Sequence, residues 1–183
     1  MILLMGKTAS GKDTILNEIV KLGYCKLVTY TTRPIRPGEV NGINYHFIST
    51  DDFQIKNKNG FFAETTSYKV ASGETWYYGS AIKDYDKDSV MIVNPDGIKK
   101  IRKINSLNPI VFYIQADEDV IKERLRKRGD NPKEAERRIE ADKKDFFCVE
   151  KYADYNIKNN GNGEYPPKML ARNIIGKYER KLR

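Results

Sequence analysis

A glycine-bracketed run, Gly6-Lys7-Thr8-Ala9-Ser10-Gly11-Lys12, follows the apolar stretch 2–5 and precedes residues 13–22, where Ile15, Leu16, Ile19 and Val20 recur at helical spacing. The order of strand, glycine loop and helix is the context a phosphate-cradling loop requires, and the run matches the G-x-x-x-x-G-K pattern through its lysine. Gly6 and Gly11 let backbone amides turn inward around phosphate oxygens. Lys12 adds a point charge towards the β- and γ-phosphates, and the helix starting near it aims its positive end at the same anion. A glycine turn without a ligand is the plain alternative. Where the pattern has Ser or Thr after the lysine as a magnesium ligand, this chain has Asp13, followed by Thr14. Magnesium is then held through Thr14 and water, or with Asp13 in its outer shell, and the sequence leaves both open.

The rest of the chain continues the alternation. Gly23 ends the first helix and residues 24–30 read as one second strand. Residues 31–45 hold two prolines and two glycines and read as a structured loop. A short helix over 51–58 is expected, capped by Thr50 or Asp51 and stopped at Gly60, with strands and turns over 60–80. Further strands are expected at 89–93, 109–115 and 155–158, and helices at 97–104, 116–127, 133–150 and 167–181. Strands alternating with helices predict an α/β fold with a parallel central sheet, interrupted by an insertion in the irregular stretch 29–86. No internal repeat or low-complexity tract is present.

The bulk numbers narrow the setting. A chain of 183 residues fits one compact domain, and no apolar run approaches the roughly 20 residues of a membrane span. There is no pattern of a cleaved leader, and Cys25 and Cys148 lie far apart with a single histidine, His46, so neither a disulfide framework nor a zinc site is expected. A reducing cytoplasm is the default. The formal net charge of +8 invites a nucleic-acid reading, but much of the excess, in 122–144 and 177–183, is interleaved with acids. Nucleic acid is therefore not the expected partner.

A second signal lies in Thr31-Thr32-Arg33-Pro34-Ile35-Arg36-Pro37-Gly38-Glu39-Val40-Asn41-Gly42-Ile43-Asn44-Tyr45. Two arginines three apart, on a loop stiffened by Pro34 and Pro37, can converge on one phosphate, and Tyr45 can add a hydroxyl. A solvated basic loop is the alternative. This stretch, together with Tyr78-Gly79-Ser80 and the loop at 6–12, resembles the guanylate kinases, and the resemblance covers most of the chain. It implies a P-loop kinase fold with a parallel sheet, an inserted mononucleotide-binding part and a helical lid. The implied division is a core of 1–28, 87–122 and 141–183, an acceptor-binding insertion over 29–86 and a lid over 123–140.

The resemblance also implies site residues. Arg33, Arg36, Tyr45 and Tyr78 match positions that grip the acceptor phosphate. Glu64 matches a carboxylate that reads the guanine N1 and N2 hydrogens, and Thr29 and Ser80 match hydroxyls near the base. A carboxylate accepting two N–H bonds favours guanine over adenine. On the lid, Arg124 and Arg128 share a helix face, and Arg138 matches an arginine that reaches the transferring phosphoryl, with Arg137 as its neighbour. Asn159 resembles an adenine-side asparagine. Two departures stand out. Asn94 falls where the family has an aspartate, with Asp96 nearby, and the stretch 64–78 is about five residues longer than usual. The implied activity is ATP- and magnesium-dependent phosphorylation of GMP or dGMP by a monomer or homodimer. A kinase for another monophosphate, a non-catalytic protein-binding module and a nucleic-acid-stimulated ATPase are the rivals.

Overall fold

The strand expected first is β1 (Ile2–Met5), and all four of its residues are buried. The computed structural model describes residues 1–70, 73–161 and 166–183 of the chain, which divide into two units. One unit comprises Met1–Lys26, Asp88–Pro95 and Pro109–Arg183, and the other Leu27–Lys87 and Asp96–Asn108.

The first unit is built on a sheet of five parallel strands: β1, β2 (Cys25–Lys26), β7 (Ser89–Ile92), β8 (Ile110–Gln115) and β9 (Tyr155–Lys158). Their order is β2-β7-β1-β8-β9. From β1 the chain crosses to one side, and after β7 it crosses to the other. The carboxyl end of β1 therefore lies where the strand order reverses, the place at which open α/β sheets bind ligands. The helix α1 (Lys12–Lys21) leaves that end and buries Ile15, Leu16 and Ile19. These side chains share one core with Ile2, Leu4, Phe112, Ile114 and Ile157 of the sheet and with Leu170, Ala171, Ile174 and Tyr178 of α6 (Pro167–Leu182). Burying each large side chain is worth about 1.5–3 kcal/mol, so the phosphate loop is anchored at both ends by core. The remaining helices of this unit are α4 (Glu118–Arg128) and α5 (Pro132–Asp145).

The second unit holds a smaller sheet in the order β4-β3-β6-β5, from β3 (Tyr30–Thr31), β4 (His46–Phe47), β5 (Phe62–Lys69) and β6 (Thr75–Ala81). The helix α2 (Thr50–Lys58) sets Phe53 against Phe62, their rings stacked 4.5 Å apart. Tyr30 and Ala81 complete this core. The helix α3 (Pro95–Ile101) belongs to the second unit from Asp96 onward. β5 and β6 form an antiparallel hairpin whose register shifts between Phe62 and Glu64, and past that bulge Glu64 faces Ser80.

Three sequence expectations need correction. Residues 24–30 form two short strands in different sheets rather than one, because Leu27, Val28 and Thr29 between them make no ladder. The α2 cap is Ser49, whose Oγ accepts from the Asp52 amide at 3.0 Å, rather than Thr50 or Asp51. The helix expected over 133–150 stops at Asp145, and Cys148 just beyond it has a left-handed backbone with φ of 53°, which no helix continues through.

Candidate active site

The loop between β1 and α1 is shaped by close approaches. A Cβ at Gly6 would stand 2.5 Å from the backbone carbonyl of Ile114, so no other residue fits there. Gly11 has φ of 93°, and a Cβ on it would run into Nδ2 of Asn159. Ala9 also has a left-handed backbone, with φ of 51°. Left-handed residues alternating along a loop turn successive amides to one side, which makes an anion-binding concavity. Ser10, fully buried, donates its amide to the Lys7 carbonyl at 3.2 Å and closes the turn.

Lys12 opens α1, and its Nζ donates to the Lys7 carbonyl at 2.6 Å and towards Ser10 Oγ at 3.4 Å. Burial pushes the Lys12 ammonium below the usual lysine range, while Asp13 and Asp142 pull the other way. An anion arriving at the loop would relieve that burial cost. Asp13 and Thr14 are both exposed in the first turn of α1. They offer hard oxygens beside the loop, and no cluster of three or more His, Cys, Asp or Glu side chains suited to a metal exists among the described residues. Hard oxygens of this kind, one or two from the protein beside substrate phosphates and waters, are the donor set that suits magnesium.

Two further elements brace the loop. Asn159, buried just past β9, donates Nδ2 to the Ser10 carbonyl at 2.8 Å. Arg124 on α4 donates Nη1 to the Ala9 carbonyl at 3.1 Å and Nη2 to the Asn159 carbonyl at 3.0 Å. Gly11, Lys12, Thr14, Arg124, Arg128 and Asn159 are among the residues lining a cavity of about 490 Å³. Of the expected lid arginines, Arg124 reaches the loop and Arg128 reaches the cavity wall. Arg128 is held bidentately by Asp130, at 2.6 and 2.5 Å, and Arg138 rests on Glu134 at 2.9 Å and Asp130 at 3.4 Å. Arg137 shares Glu134 and is the more exposed of the pair. Asn94 follows β7 in this same unit.

Sequence reasoning gave no role to Asp142, yet its Oδ2 accepts the Thr8 amide at 2.6 Å. Burial raises the Asp142 carboxyl, against the stabilising Thr8 bond and the Lys12 charge.

In the second unit, Arg33 is buried and its Nη2 donates to both Glu39 oxygens, at 2.7 and 2.9 Å. Glu39 also accepts the Arg36 amide at 2.8 Å, so one carboxylate fixes the backbone at one arginine and the guanidinium of the other. The Arg33 guanidinium carbon lies 5.5 Å from the centre of the Tyr45 ring, and Tyr45 meets Tyr78 edge-on at 6.0 Å. Three of the four expected phosphate-gripping residues thus converge, while the Arg36 side chain is exposed. Glu39 was also without an assigned role, although its place in the turn after Pro37 and Gly38, three residues from Arg36, is a readable charge signal.

Glu64 is half-buried and accepts from Ser80 Oγ at 2.9 Å. Burial raises its carboxyl above the usual range, and Ser80 and Lys100 lower it. Thr29 is half-buried, with its carbonyl accepting the His46 amide at 2.8 Å.

The guanylate kinase family model matches residues 1–168. A guanylate kinase of Sulfurimonas denitrificans is 34% identical over 170 residues, covering 87% of this chain and 80% of the relative. One from Lactobacillus johnsonii is 30% identical over the same shares. The crystal structure of a guanylate kinase from Anaplasma phagocytophilum, 21% identical, covers 99% of this chain and 85% of its own with a TM-score of 0.65, which speaks for the fold alone. No described helix is long and apolar enough to cross a membrane.

Proposed function

The chain belongs to the guanylate kinase family, and on that premise we propose that it moves the γ-phosphoryl group of ATP to GMP or dGMP, giving ADP and the diphosphate. The observation that carries the reading is Glu64 held by Ser80 in one unit while the complete glycine loop with Lys12 stands in the other. One suits a guanine edge, and the other suits a triphosphate.

In this reading the loop amides and Lys12 bind the β- and γ-phosphates, and Asn159 and Arg124 keep the loop in shape. Arg33, Arg36, Tyr45 and Tyr78 hold the acceptor phosphate, with Glu39 orienting Arg33. Glu64, Ser80 and Thr29 select the base, and Asn94 belongs to the same proposal. Arg128 and Arg138 leave their acids to meet charge on the moving phosphoryl, where fixed donors lower the barrier. Phosphoryl transfer of this kind needs positioning and charge stabilisation more than a general base. Magnesium, when bound near Thr14 and Asp13, neutralises phosphate charge. The division into a core, an insertion over 29–86 and a lid over 123–140 is part of the proposal. So are a cytoplasmic setting and a monomeric or homodimeric state.

A non-catalytic binding module is not favoured, because Lys12, Arg33 and Arg36 are all present. The test is ADP formation from ATP and magnesium with each nucleoside monophosphate offered singly. Turnover with GMP and dGMP is expected, and turnover with only UMP or CMP overturns the base assignment.

A further inference from the structure

Tyr85 lies five residues beyond Ser80, and nothing above gives it a role. Its hydroxyl is 2.7 Å from Ser80 Oγ. Ser80 has a single hydroxyl proton, and that proton is spent on Glu64 Oε1 at 2.9 Å. The contact with Tyr85 must therefore use the tyrosine's proton. The order runs from the Tyr85 hydroxyl to the Ser80 hydroxyl to the Glu64 carboxylate. Hydroxyls in series polarise one another, so each is a better donor than alone. The Ser80 hydroxyl is also prevented from rotating away, since its oxygen is pinned by Tyr85.

We propose that Tyr85 is a positioning residue for base choice, acting through Ser80 to keep the Glu64 carboxylate ionised and turned to accept two N–H donors of a purine bearing a 2-amino group. This rests on the reading of Glu64 as the guanine-recognising carboxylate. Burial and the nearby Glu64 charge push the Tyr85 hydroxyl well above the usual tyrosine range, so it stays a donor at working pH. The other groups facing Glu64 are Ser80 on β6 and Lys100 on α3, whose Nζ donates to the Thr65 carbonyl. Lys100 supplies charge without direction. The two hydroxyls supply direction.

The test compares GMP with IMP, which lacks the 2-amino group, in wild type, Tyr85→Phe, Ser80→Ala, the double variant and Glu64→Gln, with a thermal melt of each. Tyr85→Phe is expected to raise the GMP KM about fivefold, the worth of one hydrogen bond, with kcat nearly unchanged and the IMP KM moving less. The acid limb of kcat/KM for GMP should shift to higher pH, because a carboxylate with weaker donors protonates more readily. The double variant should cost no more than Ser80→Ala alone, since Tyr85 acts through that hydroxyl. Equal losses for GMP and IMP, an unmoved acid limb, or additive single effects overturn the role of Tyr85. If Glu64→Gln leaves the GMP preference intact, the guanine reading of Glu64 fails and this proposal with it. If Glu64→Gln collapses the preference while Tyr85→Phe behaves as wild type, only the Tyr85 role falls. Should Tyr85→Phe not fold, 3-fluorotyrosine installed at position 85 keeps the ring and strengthens the donor. The acid limb must then move to lower pH, and a shift the other way overturns the proposal.

Discussion

The Thr8 amide donates to Asp142 over 2.6 Å, so a carboxylate from α5 occupies one of the donors that the phosphate loop offers to an anion. Asp142 also lies close enough to Lys12 to act on its charge. A nucleotide phosphate entering the loop has to displace this carboxylate or share the site with its charge.

Asp142→Asn should therefore tighten ATP binding. The amide keeps an acceptor for Thr8 but removes the competing charge, and a charge-assisted hydrogen bond is worth about 1.5–3 kcal/mol. Part of that becomes a drop in the ATP KM of about three- to tenfold. Because burial raises the Asp142 carboxyl, the wild-type carboxylate begins to neutralise at a higher pH than an ordinary aspartate. The advantage of the variant should accordingly shrink as pH falls. ATP titrations of both proteins at several pH values check this, and an unchanged or higher KM in the variant refutes it.

Lys12 gives the opposite limb. Its ammonium is lowered by burial, so in the free protein it loses its proton at a lower pH than an ordinary lysine. Loss of that charge removes an anchor for the β- and γ-phosphates, and kcat/KM for ATP should fall as pH rises through that lowered value. Lys12→Ala should lose about a thousandfold or more in turnover while its far-ultraviolet circular dichroism and thermal midpoint stay near wild type. Turnover of Lys12→Ala close to wild type would mean that the loop does not hold the donor.

Glu39 makes a prediction confined to the acceptor. Its carboxylate holds the Arg33 guanidinium and the Arg36 amide together, and Arg33 in turn keeps the Glu39 carboxyl below the usual range. Glu39→Gln keeps one acceptor oxygen and no charge, so it cannot take Arg33 Nη2 on both oxygens as the carboxylate does. The GMP KM should rise about tenfold with the ATP KM unchanged, because the buried arginine loses its fixed orientation. Initial-rate matrices in both substrates separate the two constants. An equal rise in both places Glu39 in general stability instead.

How far this was readable from sequence follows from the range of each interaction. β1, α1 and β9 were legible to within a residue, because apolar runs and a 3.6-residue stripe are local patterns. The end of α5 was not, because Cys148 is held in a left-handed backbone that its own residue type does not announce. The strand read over 24–30 failed because its residues are apolar enough for one strand but divide between two sheets. In the site, the glycines and arginines sit in compact motifs and were visible. Asp142 meets a loop 134 residues earlier, and the Ser80 link to Glu64 spans 16, so both were visible only once the chain had folded.

Gly6 tests whether the loop's shape, rather than its charge, sets the stability of this region. A Cβ there would stand 2.5 Å from the Ile114 backbone carbonyl and 2.7 Å from Ser10 Oγ. Ser10 can turn, but the Ile114 carbonyl belongs to β8, which is flanked by strands on both sides, and cannot withdraw without disturbing the ladder in which Ile114 registers with Ile157 of β9. Gly6→Ala should therefore cost about 1–3 kcal/mol, the range for an added methyl group in a packed site. It should also weaken ATP binding, since the displaced loop no longer aims its amides inward. Urea unfolding gives the first number and an ATP titration the second. Gly23→Ala is a useful control, because nothing lies within 4 Å of a Cβ there and only its left-handed φ of 103° opposes the change. If Gly6→Ala proves no more destabilising than Gly23→Ala, the close approach to Ile114 is not what requires glycine at the mouth of the loop.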